Sequence, residues 1–223
     1  MVARLAEALE IPLRERNALF IAAGYAPVYR ETGFASPEMG RVRQAIEFIL
    51  RQQNPYPAFV VSRHWDLLRS NQGAARVFGF LFGGRGAHSN IMRSVFAPDG
   101  VRPLISNWEE VAGHMIRHLH NEVAAAPSDT VAQDLLREVL SYPEVPPRWR
   151  ARVLGAETPA LLTTVYRKGE LALRFFSTIT TFGTPQDVTL EELRIECVFP
   201  ADEATTKFCH ELAVADPARV GRE

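Results

Sequence analysis

The stretch LTTVYRKGELALRFFSTITTF, residues 162–182, decides the fold. Lys168-Gly169-Glu170 divides it into two runs, Leu162–Arg167 and Leu171–Phe182, and the division predicts a β-hairpin. In the second run Leu171, Leu173, Phe175, Ser177 and Ile179 share one face, while Ala172, Arg174, Phe176, Thr178 and Thr180 share the other. Downstream, Leu193, Ile195, Cys197 and Phe199 alternate as the inner face of a third strand. Upstream, Ala58–Ser62 is a short apolar run between turn signals, with Trp65–Arg69 as its hairpin partner across Arg63-His64.

The remaining segments have the helical period. Ser36-Pro37 opens a helix to about Gln53 with the stripe Met39, Val42, Ile46, Ile49 and Leu50, and Asn54-Pro55-Tyr56-Pro57 stops it. Asn71 caps a helix through Gly73–Phe82, and two more helices cover Trp108–Ala126 and Val131–Leu140. Residues 3–10 and 13–23 are two short helices, the second ended by Gly24 at its C′ position. A strand pair, then helices, then three antiparallel strands predicts an α+β fold. Its form is a PAS-like antiparallel sheet with flanking helices on one side, closer to a cup than to an active-site cleft.

Composition narrows the function. The 223 residues are 47% hydrophobic and 23% charged, with a net charge of −1, so a globular protein is expected and a strongly basic nucleic-acid binder is not. Residues 156–223 carry 7 bases against 11 acids, and no segment concentrates positive charge. No apolar run approaches a membrane span, and the acid at Glu7 interrupts any signal-peptide core. Cys197 and Cys209 offer no disulfide framework, which points to a reducing cytoplasm.

Catalytic and metal chemistry find little support. His114, His118 and Glu122 have helical spacing for a metal, but they edge the stripe Val111, Met115, Ile116, Leu119 and Val123 and lack further ligands. Gly83-Gly84-Arg85-Gly86 lacks the lysine of a phosphate loop and reads as a connector. Ser94, Ser177 and Cys197 belong to no nucleophile motif, and Glu109-Glu110 and Glu191-Glu192 read as helix-start charges. No enzyme, metal or cofactor is expected.

Several motifs together resemble a known family. Arg4–Leu9, Leu13–Leu19 and Ala22–Pro27 resemble the end of an XRE-type helix-turn-helix domain, as found in MmyB-like bacterial transcription regulators. Pro57–Val61 with Trp65 and Asn71, Asn90–Phe96, Trp108, and Phe182–Asp187 resemble that family's C-terminal ligand-binding domain. The resemblance implies residues 1–35 as a helix-turn-helix remnant, 36–57 as a linker helix, 58–213 as the PAS-like sensor and 214–223 as a tail. It also implies DNA as a partner of the intact regulator. The family's recognition helix precedes what resembles the start of this chain, so DNA contact by this chain alone is not expected.

The expected ligand is a small apolar molecule, with a fatty acid as the hypothesis. The motive is the apolar strand set Phe59, Val61, Trp65, Leu67, Leu173, Phe175, Phe176 and Phe199. Arg93 or Arg174 would hold its carboxylate, although Arg174 reads better as a cross-strand partner of Glu196. The candidate ligand-binding residues are Trp65, Asn71, Asn90, Arg93, Phe96, Leu173 and Phe175. A homodimer with a fully packed core and no ligand is the alternative, and a small-molecule enzyme is a third class.

Overall fold

The computed structural model describes residues 1–83, 88–152 and 160–215; Gly84–Gly86 of the glycine-rich connector and residues 216–223 of the expected tail lie outside them. Five strands form one sheet: β1 (Ala58–Val61), β2 (Leu67–Ser70), β3 (Thr163–Lys168), β4 (Leu171–Thr180) and β5 (Arg194–Pro200). Their order is β2-β1-β5-β4-β3 and every pairing is antiparallel. Gly169, at φ 59°, makes the tight turn between β3 and β4. The expected α+β architecture, an antiparallel sheet with flanking helices consistent with a PAS-like domain, is present.

Helices cover both faces of the sheet, not one. Helix α3 (Gly40–Gln52) packs Ile46 and Leu50 against Ala58, Val60, Ile195 and Cys197. On the opposite face α4 (Gln72–Phe82) and α9 (Glu203–Ala215) bring Val77, Leu81 and Cys209 against Phe59, Val61, Leu173, Phe175 and Val198. The reason lies in β1, where all four residues of Ala-Phe-Val-Val are buried, and in β5, which alternates Ile195 and Cys197 with Val198. A central strand that is apolar on both sides requires two covering layers. Phe176 and Phe199 stack at 5.5 Å within the sheet, away from the α4 side.

A third core cluster lies beyond the sheet. Helices α5 (Ile91–Phe96), α6 (Trp108–Ala125) and α7 (Thr130–Ser141) enclose Met92, Phe96, Ala112, Ile116, Leu119, Leu135 and Val139 together with Trp65. Helix α5 has six residues, too few for a sequence period to reveal, and Asn90 starts it by accepting from Arg93 N at 3.2 Å. The same holds for α8 (Val188–Glu192), capped by Asp187. In this one-turn helix Glu191 lies in the first turn, as expected, and Glu192 is the last residue.

Helices α1 (Val2–Ala8) and α2 (Leu13–Ala22) precede this core, and Gly24 follows α2 at φ 82° as expected. The amide of Leu13 donates to Glu191 at 2.7 Å, so the start of α2 docks on α8. Among the described residues no helix is long and apolar enough to cross a membrane.

Candidate functional site

The sheet face that meets α4, α5 and α6 is incompletely filled. Two neighbouring cavities lie there, of about 460 Å³ and about 270 Å³, and both are lined by Phe59, Ile91, Val95 and Tyr166. The smaller one, walled by Ala74, Phe78 and Phe82 of α4, is almost wholly apolar. The larger one lies between β3, β4 and β5 on one side and α6 on the other. Strand alternation sends Thr164, Tyr166, Ser177, Ile179 and Glu196 into it, since Ile179 and Phe59 pair with Glu196 across β4 and β1. From α6 come Val111, His114, Met115 and His118, at helical spacing.

Trp65 closes one end of the larger cavity. It is buried, and its backbone sits at φ 67°, a conformation that a bulky residue adopts only under strong constraint. That constraint is visible: Trp65 N donates to Ser62 O at 3.0 Å and Ile91 N donates to Trp65 O at 2.8 Å. The indole Nε1 donates to Glu122 at 3.0 Å, the ring meets His118 edge-on at 5.5 Å, and the Arg194 guanidinium lies 5.0 Å over it. Strand β2 begins only at Leu67, so Trp65 belongs to the turn and not to the strand that was expected to include it.

Charges around the cavity differ in how they are balanced. Burial pushes the Glu122 carboxyl up, but His118, Arg194 and the Trp65 N–H outweigh it and hold the group below its usual range. Burial, aided by Arg117 and His118, lowers the pKa of His114 and keeps that imidazole neutral at neutral pH. Burial drives Glu196 upward, with Ser177 and Arg194 only partly offsetting it, and raises Tyr166 as well.

The residues expected to bind ligand are not gathered in one place. Trp65 lines the larger cavity. Asn71 holds backbone: its Oδ1 accepts from Ala58 N and Ala74 N, and its Nδ2 donates to Leu50 O and Tyr56 O. Asn90 caps α5 and donates to His64 O at 2.7 Å and to Asp66 at 2.9 Å. Arg93 turns outward into a two-pronged pair with Glu138, at 2.8 and 2.9 Å. Phe96 packs between Trp108 and Trp149, and Leu173 and Phe175 are buried in the core against α4 and α9. Arg174 pairs with Asp202 at 3.1 Å and not with Glu196, because Glu196 points from the opposite face of the sheet. Tyr166 and Glu196, which the sequence reading left out of the site, were signalled by parity alone. Both fall in register with core-facing positions of their neighbours.

A polar cleft of about 640 Å³ lies elsewhere, between α2, α8, the β1–β2 turn and the α6–α7 turn. Arg14 binds Glu192 at 2.6 Å and Glu31 at 3.0 Å, and Arg63 binds Glu192 at 3.0 Å and also Asp129. His64 Nε2 lies 2.9 Å from Asp129.

Among the described residues no group of three or more His, Cys, Asp or Glu is arranged for a metal ion. His118 meets Glu122 at 3.1 Å, but that carboxylate also serves Trp65 and Arg194. Cys197 is packed on the α3 face, across the sheet from His114.

The chain matches one family model, that of the MmyB-like transcription regulator ligand binding domain, over residues 42–212. That span contains every residue lining the two cavities, and it omits α1 and α2. No curated protein matches the chain.

Proposed function

We propose a function from one premise: the chain belongs to the MmyB-like transcription regulator ligand-binding domain family, which is not a family of enzymes. The α+β part is the ligand-sensing portion of a transcription regulator, and it houses a small, largely apolar molecule behind its sheet. The observation that carries this reading is the pair of adjoining cavities between the sheet and α4–α6, the larger within the range of small-molecule sites and open to solvent beside Leu161 and Ile179. A fatty acid has the apolar body these walls suit. The carboxylate part of that hypothesis has lost its support from Arg93, which is engaged with Glu138.

Signalling would run by population shift: a ligand that prefers one arrangement of the cavity wall raises the share of molecules in that arrangement. The turn Ser62–Asp66 suits the role of transmitter. It places Trp65 against the cavity and Arg63 and His64 in the cleft facing α2. Residues 1–35, read as the end of a helix-turn-helix domain, would carry the shift toward DNA in a cytoplasmic regulator, with α3 as the linker.

Mass spectrometry of freshly purified protein tests the reading, first native and then after denaturation and solvent extraction. The expected result is a discrete added mass that denaturation releases. A bare native mass, together with a melting temperature that no apolar probe raises, would overturn it. A dimerisation module is the second reading, favoured by Leu5, Leu9, Leu19 and Ile21, which are all exposed on or beside α1 and α2. Sedimentation at several concentrations distinguishes it.

A further inference from the structure

Glu196 stands in the centre of the sheet, where Ser177 and Arg194 offset its burial only in part. Its strand neighbours are Phe59 on β1 and Ile179 on β4, and it shares its face of β5 with Val198. Among the described residues no hydrogen bond or ion pair reaches its carboxyl at normal bonding distance. Several other half-buried acids are served. Glu122 has Trp65 and Arg194, Glu138 has Arg93 and Tyr142, Glu192 has Arg14 and Arg63, and Asp129 has Arg63 and His64. Arg194, on the same strand, gives one guanidinium nitrogen to Glu122 and lies over the Trp65 ring; its other terminal nitrogen has no partner among the described residues, and it favours the Glu196 charge only from a distance.

An acid without a partner in an apolar interior costs free energy, and a buried polar group without a partner calls for an explanation. The larger cavity supplies one, because the surface that Glu196 retains opens into it. Around it are the hydroxyl-bearing residues Thr164 and Tyr166 from β3 and Ser177 from β4, with His114 and His118 from α6. The Tyr166 hydroxyl likewise has no hydrogen bond among the described residues, although its backbone belongs to the β3–β4 ladder. Among the described residues no lysine or arginine lines either cavity.

We propose that Glu196 anchors the head of the ligand, and that this head is a hydrogen-bond donor such as a hydroxyl, an amide N–H or an amine, on an apolar body. The inference rests on the cavities being the ligand site. An ionised carboxylate would meet a second acid at close range with no cation among the described lining residues, which disfavours it. A donor head satisfies Glu196 instead, and the apolar body takes the space between α4 and the sheet. The upward shift of Glu196 through burial agrees with this, since the group waits for a donor in place of a cation.

Four probes of equal chain length test the head group: decanol, decanamide, decylamine and decanoate. Each is titrated near neutral pH into the full chain and into Glu196→Leu and Glu196→Gln, with calorimetry and melting temperature as readouts. The donor-headed probes are expected to bind wild type at least about tenfold more tightly than decanoate, the ratio one good hydrogen bond to a charged group provides. Glu196→Leu should bring all four within about twofold of one another. Glu196→Gln keeps an acceptor, so it should keep the preference for decanol and lose that for decylamine. Decanoate binding wild type as tightly as decanol would overturn the inference and leave the apolar cavity standing. A preference unchanged in Glu196→Leu would do the same. Binding of none of the four would remove the cavity reading and this inference with it.

Discussion

The polar cleft beside α2 and the cavities behind the sheet treat charge in opposite ways. In the cleft, Arg14, Arg63 and His64 each meet an acid, and the pairs join elements far apart in sequence: α2 to α8, and the β1–β2 turn to α8 and α7. In the larger cavity Glu196 has no ion pair among the described residues. Paired charges fix one arrangement of the chain, whereas an unpaired one leaves capacity for something from outside. The first region thus reads as connection and the second as recognition. The turn Ser62–Asp66 belongs to both, and it is stiff: Ser62 Oγ accepts from His64 N at 3.2 Å and from Asp66 N at 3.1 Å.

The sharpest way to break this comparison is at Trp65. Trp65→Ala should cost about 3–5 kcal/mol in urea unfolding, the range for emptying a buried aromatic site. Trp65→Gly should be about 1 kcal/mol less harmful than Ala, because only glycine accepts φ 67° without strain. Equal stability of the two would show that the backbone there is not held against its preference. If the turn transmits, either change should also speed amide exchange in α2, which Trp65 does not touch.

Arg63→Ala attacks the connection alone. It strips one partner each from Glu192 and Asp129, at sites that are mostly but not fully buried, and should cost about 1–3 kcal/mol. Proteolysis between residues 24 and 36 should quicken. Probe affinity in the cavity should change less than about threefold if recognition needs only the sheet side. A larger loss would show that the two regions form one site.

These contrasts were unevenly legible in the sequence. The sheet was readable because β3 and β4 flank a clear Lys168-Gly169-Glu170 turn and β5 keeps an apolar residue at every second position, and the α4 cap because Asn71 precedes a helical stripe. Asn71 and Asn90 entered the expected site with the family motifs that contain them, yet the carbonyls they serve, Leu50 O and His64 O, are ones that only the fold brings near. Arg93 was a fair choice for a carboxylate, but its rival Glu138 lies 45 residues away, beyond any local pattern. Glu196 was visible by parity. It was paired with Arg174 because both sit on adjacent strands, and the register that separates their faces depends on a partner offset that composition does not carry.

The smallest expected effect uses pH, and it sets the two regions against each other by sign. In the cleft, burial alone would raise the Asp129 carboxyl, but His64, the Ala132 N–H and Arg63 together hold it below its ordinary value. The unfolded chain therefore binds a proton first as pH falls, and the stability from Asp129 is present above the ordinary aspartate range and lost as pH drops through the folded value. Glu196 is raised, so the folded chain holds its proton more tightly. Its cost is absent in acid, grows as pH climbs past the ordinary glutamate value and is complete above the folded one. Glu196→Leu should then add about 1–2 kcal/mol near neutral pH, with the gain shrinking toward acid. Asp129→Asn should lose stability near neutral pH and converge with wild type in strong acid. Urea midpoints of both variants across the acid limb measure the two slopes. Slopes of the same sign would mean that Glu196 has a partner after all, and that the cavity holds its charge as the cleft does.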